Sequence, residues 1–189
     1  DRNVRGQPGK ARIGGSQASE MASIEGRALL MSGESVRSLE GQTVEPGDQI
    51  QTGSDGRAAV QLWPESGEMQ LEANSSVKVG ESGEGKAGPP ELDLRVGNIM
   101  VQVKDPALAV RSPLASVHGS EGALYRLRIT LDSKTIVEVH EGTVVVKSRA
   151  SGADGTWVLH SGEEVSIYPS GKAVIRKHGQ ESGWLDMFR

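Results

Sequence analysis

Short runs in which apolar and polar residues alternate dominate the chain. Met69, Leu71 and Ala73 alternate with Glu68, Gln70 and Glu72; Leu92, Leu94 and Val96 with Asp93 and Arg95; Ile99, Val101 and Val103 with Met100, Gln102 and Lys104. Farther on, Tyr125, Leu127, Ile129 and Leu131 oppose Arg126, Arg128 and Thr130, while Val137 and Val139 oppose Glu138 and His140. A two-residue repeat sends alternate side chains to opposite faces, so each run reads as a strand buried on one side. A helix would mix the two sets. One-sided alternation belongs to antiparallel sheets with one wet face, and two such sheets bury their apolar faces against each other. The expected fold is all-β, an antiparallel β-sandwich of jelly-roll type with few or no helices.

Turn chemistry punctuates these runs. In Val44-Glu45-Pro46-Gly47-Asp48-Gln49-Ile50-Gln51-Thr52-Gly53 the Pro-Gly pair reverses the chain, Ile50 opens an extended segment, and Gly53 to Gly56 turn it again. Ala58, Val60 and Leu62 then return on one face, which predicts a hairpin. A smaller pattern of strand, glycine and strand recurs at Ile24-Glu25-Gly26-Arg27-Ala28, at Val96-Gly97-Asn98-Ile99 and at Val139-His140-Glu141-Gly142-Thr143-Val144. Glycine tolerates the positive φ of a tight turn, so each is expected to be a hairpin, and Gly142→Val is expected to destabilise the fold.

Composition narrows the class. The 189 residues include one Phe, two Tyr and three Trp, so the core must be built from Val, Leu, Ile and Ala. Residues 1–20 are polar and glycine-rich and read as a flexible leader or linker, 21–177 as the folded β domain, and 178–189 as a C-terminal tail. Glu81 to Pro90 carries no apolar side chain larger than alanine and reads as a surface loop, the first place inside the body for a protease to cut. A formal net charge of −4 argues against a nucleic-acid partner, which would call for clustered Lys and Arg. The absence of cysteine excludes disulfides, thiolate metal sites and cysteine nucleophiles. No run approaches the ~20 apolar residues of a membrane span, and the polar stretch Asp1 to Gln17 lacks the apolar segment of a signal peptide, so an exported protein is expected to have lost its signal already.

Several motifs together resemble the FecR domain. They are Gly47-Asp48-Gln49-Ile50-Gln51-Thr52-Gly53, Leu94-Arg95-Val96-Gly97-Asn98-Ile99, Val110-Arg111-Ser112-Pro113, Val137-Glu138-Val139-His140-Glu141-Gly142-Thr143-Val144 and Leu159-His160-Ser161-Gly162-Glu163, in that order. The resemblance covers about Ala22 to Ile167. It implies a non-catalytic bacterial module, periplasmic or otherwise extracytoplasmic, that relays signals toward sigma-factor machinery by contact with a protein partner in the cell envelope. The chain departs from the family where Arg-Gly-Thr and an aromatic are usual: here stand His118-Gly119-Ser120-Glu121-Gly122. Nothing matches the anti-sigma helix bundle, membrane span or receptor-contacting module of the sigma regulators.

Catalytic and cofactor chemistry find no support. Ser120 beside His118 lacks the spacing and strand-to-helix context of a nucleophile elbow. His118, His140, His160 and His178 are scattered without metal-ligand spacing, and neither a metal nor any other cofactor is expected. Adjacent Glu163 and Glu164 point to opposite faces of a strand, and Glu68, Gln70 and Glu72 read as a solvated face. Gly80 to Gly88 opens no helix and so offers no phosphate cradle.

Interaction remains. Arg126 and Arg128 project from one strand face with Thr130 and are candidates for meeting an acidic partner, the plainer reading being a solubilised edge. Trp184, Leu185 and Phe188 in the tail are candidate anchors, on this domain or on another protein. The rival function is a module binding cell-wall glycan or another ligand, with Trp63 and Trp157 as the stacking residues.

Overall fold

The computed structural model describes residues 12–13, 24–40, 42–62, 65–80, 89, 91–150 and 155–178. They form strands and turns, with no helix among the described residues. The strands are β1 (Arg12–Ile13), β2 (Ile24–Glu25), β3 (Ala28–Ser32), β4 (Ser35–Ser38), β5 (Thr43–Val44), β6 (Gln49–Thr52), β7 (Arg57–Leu62), β8 (Gly67–Leu71) and β9 (Ser76–Val79). There follow β10 (Leu92–Val103), β11 (Ala109–Arg111), β12 (Ala115–Gly119), β13 (Leu124–Ile129), β14 (Thr135–Glu141), β15 (Thr143–Ser148), β16 (Thr156–His160), β17 (Glu163–Ile167) and β18 (Ala173–Lys177).

These strands make two sheets that share β10. The first runs β18-β17-β14-β13-β10-β8-β7, with β1 and β2 beyond β7 and β5 beside β1. The second runs β16-β15-β12-β11-β10-β9-β6-β3-β4. Described pairings are antiparallel except β1 with β5 and β7, and β10 with β11. The expected all-β, antiparallel class therefore holds. Inward residues of both sheets form one core of Val, Leu, Ile and Ala, including Ile50, Val77, Leu92 and Val146 from one side and Val60, Leu71, Ile99 and Val137 from the other. Tyr125 is the largest side chain in it.

The three strand-glycine-strand motifs are corners between the sheets, which corrects the hairpins read from sequence. β2 belongs to the first sheet and β3 to the second. β14 belongs to the first and β15 to the second, with Gly142 alone between them. β10 pairs with β9 up to Val96 and with β8 and β13 from Gly97 or Ile99 onward, so one strand passes through both layers. The reason is geometric. A two-residue hairpin of the I′ type needs positive φ at two adjacent positions. Here Gly97 (97°) and Gly142 (77°) adopt it, and the residues after them do not. One such residue bends the chain without reversing it. The segment around Gly53 to Gly56 is likewise a corner, because β6 lies in the second sheet and β7 in the first.

Hydrogen bonds fasten these corners to one another. The buried Thr52 hydroxyl accepts from Ser75 N (2.9 Å) and donates to Glu72 O (2.6 Å). Ser75 Oγ accepts from Asn98 N (2.9 Å), just after the bend in β10. True reversals occur where longer turns join strands of one sheet, as between β13 and β14 or β17 and β18.

Candidate functional site

Arg126 and Arg128 lie on β13 in the interior of the first sheet, flanked by β10 and β14. β13 is therefore not an edge strand. Core residues Tyr125 and Leu127 turn inward, so the arginines face out. Register then assembles a transverse row across seven strands: Ala59, Gln70, Met100, Arg126, Glu138, Glu164 and Arg176. Its charged half reads plus, minus, minus, plus.

Arg128 Nη2 donates to Glu138 Oε1 at 3.3 Å, the two side chains being 41% and 22% exposed. That exposure makes the pair worth at most about 1 kcal/mol. His140 stands at the irregularity where β13 and β14 shift register. Burial holds its imidazole below the ordinary range, the Glu138 carboxylate opposes this, the Arg126 guanidinium reinforces it, and Glu141 opposes it weakly. Thr130 follows the last residue of β13, and its hydroxyl accepts from Lys134 N (3.1 Å) in the β13–β14 turn.

The face is uneven. Ile136, Glu164 and Ser166 are buried, although the core lies on the other side of their strands. His178 Nε2 approaches Glu164 Oε2 at 3.5 Å. The accessible part is therefore the β8–β10–β13 side, where Glu68, Gln70, Met100, Gln102 and Leu124 line a shallow depression next to Arg126. Sequence reasoning placed Glu68, Gln70, Met100, Gln102 and Arg126 on wet strand faces without joining them, and it did not place Leu124. Only the register brings them together.

Trp184, Leu185, Phe188 and Trp63 lie outside the described residues. Trp157 is half-buried against the core, and a Cβ on Gly155 would meet its ring at 2.5 Å, so that indole is engaged in packing. Ser120 Oγ accepts from Thr143 N at 3.2 Å in a corner with no helix after it. Among the described residues no three His, Asp or Glu side chains gather as metal ligands, and no helix is long and apolar enough to cross a membrane.

The motifs, the corners and the two-sheet core converge on one family, whose model, FecR protein, matches residues 48–145, more than half of the chain. The chain belongs to the FecR family. None of the curated proteins matches it in sequence. Two crystal structures of a candidate anti-sigma factor from Parabacteroides distasonis ATCC 8503 share the fold, with TM-scores of 0.57 and 0.56 at 19% and 17% identity. Each covers 72% of this FecR chain, which itself spans only 64% and 63% of theirs.

Proposed function

We propose that this FecR chain is a non-catalytic signal-relay module of the bacterial cell envelope, working outside the cytoplasm by binding a protein. Family membership over residues 48–145 carries the reading, and the fold shared with a candidate anti-sigma factor supports it. The surface proposed for the partner is the outer face of the first sheet around Arg126, Arg128 and the neighbouring depression. Its mixed charge favours specificity and orientation over raw affinity. Trp184, Leu185 and Phe188 are proposed to contribute to the same surface, because the chain leaves β18 at His178, whose ring already contacts Glu164 on this face.

A photo-crosslinking amino acid at Gln70 or Gln102, both exposed, tests this in the native cell. The expected result is a discrete protein adduct that Arg126→Glu weakens and that the same probe at Lys78, on the other sheet, does not give. Equal adducts from both faces, or none from the first, would contradict the assignment. The glycan reading retains only Trp63, since packing engages Trp157.

A further inference from the structure

We propose that two copies of this chain pair edge to edge through β16, a contact independent of the partner surface above. An edge strand presents unpaired backbone N–H and C=O groups, and proteins usually guard it with charge, proline or extreme shortness. The other outer strands follow that rule. β4 carries Arg37, β18 carries Arg176 and Lys177, and β1, β2 and β5 are two residues long. β16, Thr156-Trp157-Val158-Leu159-His160, has no Lys, Arg, Asp, Glu or Pro, and its one described partner is β15.

Its hydrogen-bond phase is fixed. Ser148 N donates to Gly155 O at 2.8 Å, so by antiparallel alternation Trp157 and Leu159 also bond to β15. Thr156, Val158 and His160 then turn their backbone groups to the open edge. A two-fold axis at Val158 sets Val158 against Val158 of the second copy and Thr156 against its His160, both as hydrogen-bonded pairs. Trp157 meets Leu159 on the inner side. On the outer side Val158, 55% exposed, meets its own symmetry mate, and Val145, 39% exposed, flanks it on β15, so that the four valines form one apolar row.

Charge selects the occupant. The same two-fold on β18 would gather Arg176 and Lys177 of both copies along one short seam, and on β4 it would bring the two Arg37 side chains together, which opposes pairing. The β16 seam brings no like charges face to face and offers none to attract a charged foreign strand. Among the described strands each copy has one such edge, so the isologous contact closes at two.

Sedimentation equilibrium of the full chain from about 10 to 500 µM, the range suited to a small interface, tests the proposal. The wild type is expected to rise from one-chain toward two-chain mass. Val158→Lys, on an exposed side chain, is expected to stay at one-chain mass with an unchanged melting temperature. Val36→Lys, on the equally exposed β4 edge, is expected to behave as wild type. If Val158→Lys melts differently, hydrogen exchange on the wild type decides instead: amides of Thr156, Val158 and His160 should slow with concentration, and those of Ala173, Ile175 and Lys177 on β18 should not. A wild type that remains at one-chain mass, a Val158→Lys chain that dimerises, or slowing at β18 alone would overturn it.

Discussion

At the scale of single residues, the corner at Gly97 shows how backbone freedom and close packing act together. Its φ of 97° strains any L side chain, and a Cβ there would sit 2.5 Å from Ser75 Cα, a backbone atom that cannot move without pulling the neighbouring corner. Gly33 also has positive φ (58°) but nothing within 4 Å of the same position. Gly97→Ala is therefore expected to cost more than about 3 kcal/mol, strain and overpacking combined. Gly33→Ala should cost only about 1 kcal/mol. Denaturant titration of the two variants separates the contributions, and equal losses would count against the close approach. His140 supplies a pH test. Its imidazole is depressed in the fold, so the unfolded chain binds the proton more readily. Stability from this group is present above the ordinary value of about 6.5 and declines as pH falls through the folded value. Arg126, Glu138 and Glu141 modulate the step, and His140→Gln is expected to flatten the melting temperature between pH 7.5 and 5.5 relative to wild type (approximate settings).

At the scale of elements, the two sheets are linked by buried polar contacts as well as by apolar burial. Ser112, in the β11–β12 turn of the second sheet, shares a 3.0 Å hydrogen bond with Thr135 at the start of β14 in the first, and both are fully buried. Ser112 Oγ also accepts from Ala115 N at 3.1 Å. Removing the hydroxyl leaves two buried groups without this partner, so Ser112→Ala is expected to cost about 2 kcal/mol, against almost nothing for the outward Ser116→Ala. Thermal melts of the pair check it. The strands themselves were legible in the sequence, because alternation such as Ile99, Val101 and Val103 against Met100, Gln102 and Lys104 is a local property. The corners were not. A lone glycine between two apolar runs suits a bend as well as part of a reversal, and the choice depends on which distant strands take up the backbone groups on either side.

At the scale of the whole molecule, the same limit explains the candidate site. Arg126 and Arg128 announce themselves as outward charges, but their neighbours Gln70, Met100 and Glu138 come from strands up to 68 positions apart (138 − 70). Tertiary register, invisible to a single strand, turns scattered wet faces into one row. It also makes the two outer faces unlike: the first presents mixed charge in its middle, and the second ends in an uncharged edge. Such a division suits a module that meets different partners on different sides. The structure rests on the chain crossing between layers at its glycines, and β15 is the decisive strand. Cross-strand Hα–Hα NOEs in the folded protein report it directly. The fold predicts a contact between Val117 and Val146, a pair that does not exchange hydrogen bonds and whose Hα atoms therefore approach closely. An NOE from Val146 Hα to Val137 or Val139 instead, as a hairpin about Gly142 would produce, would contradict the account.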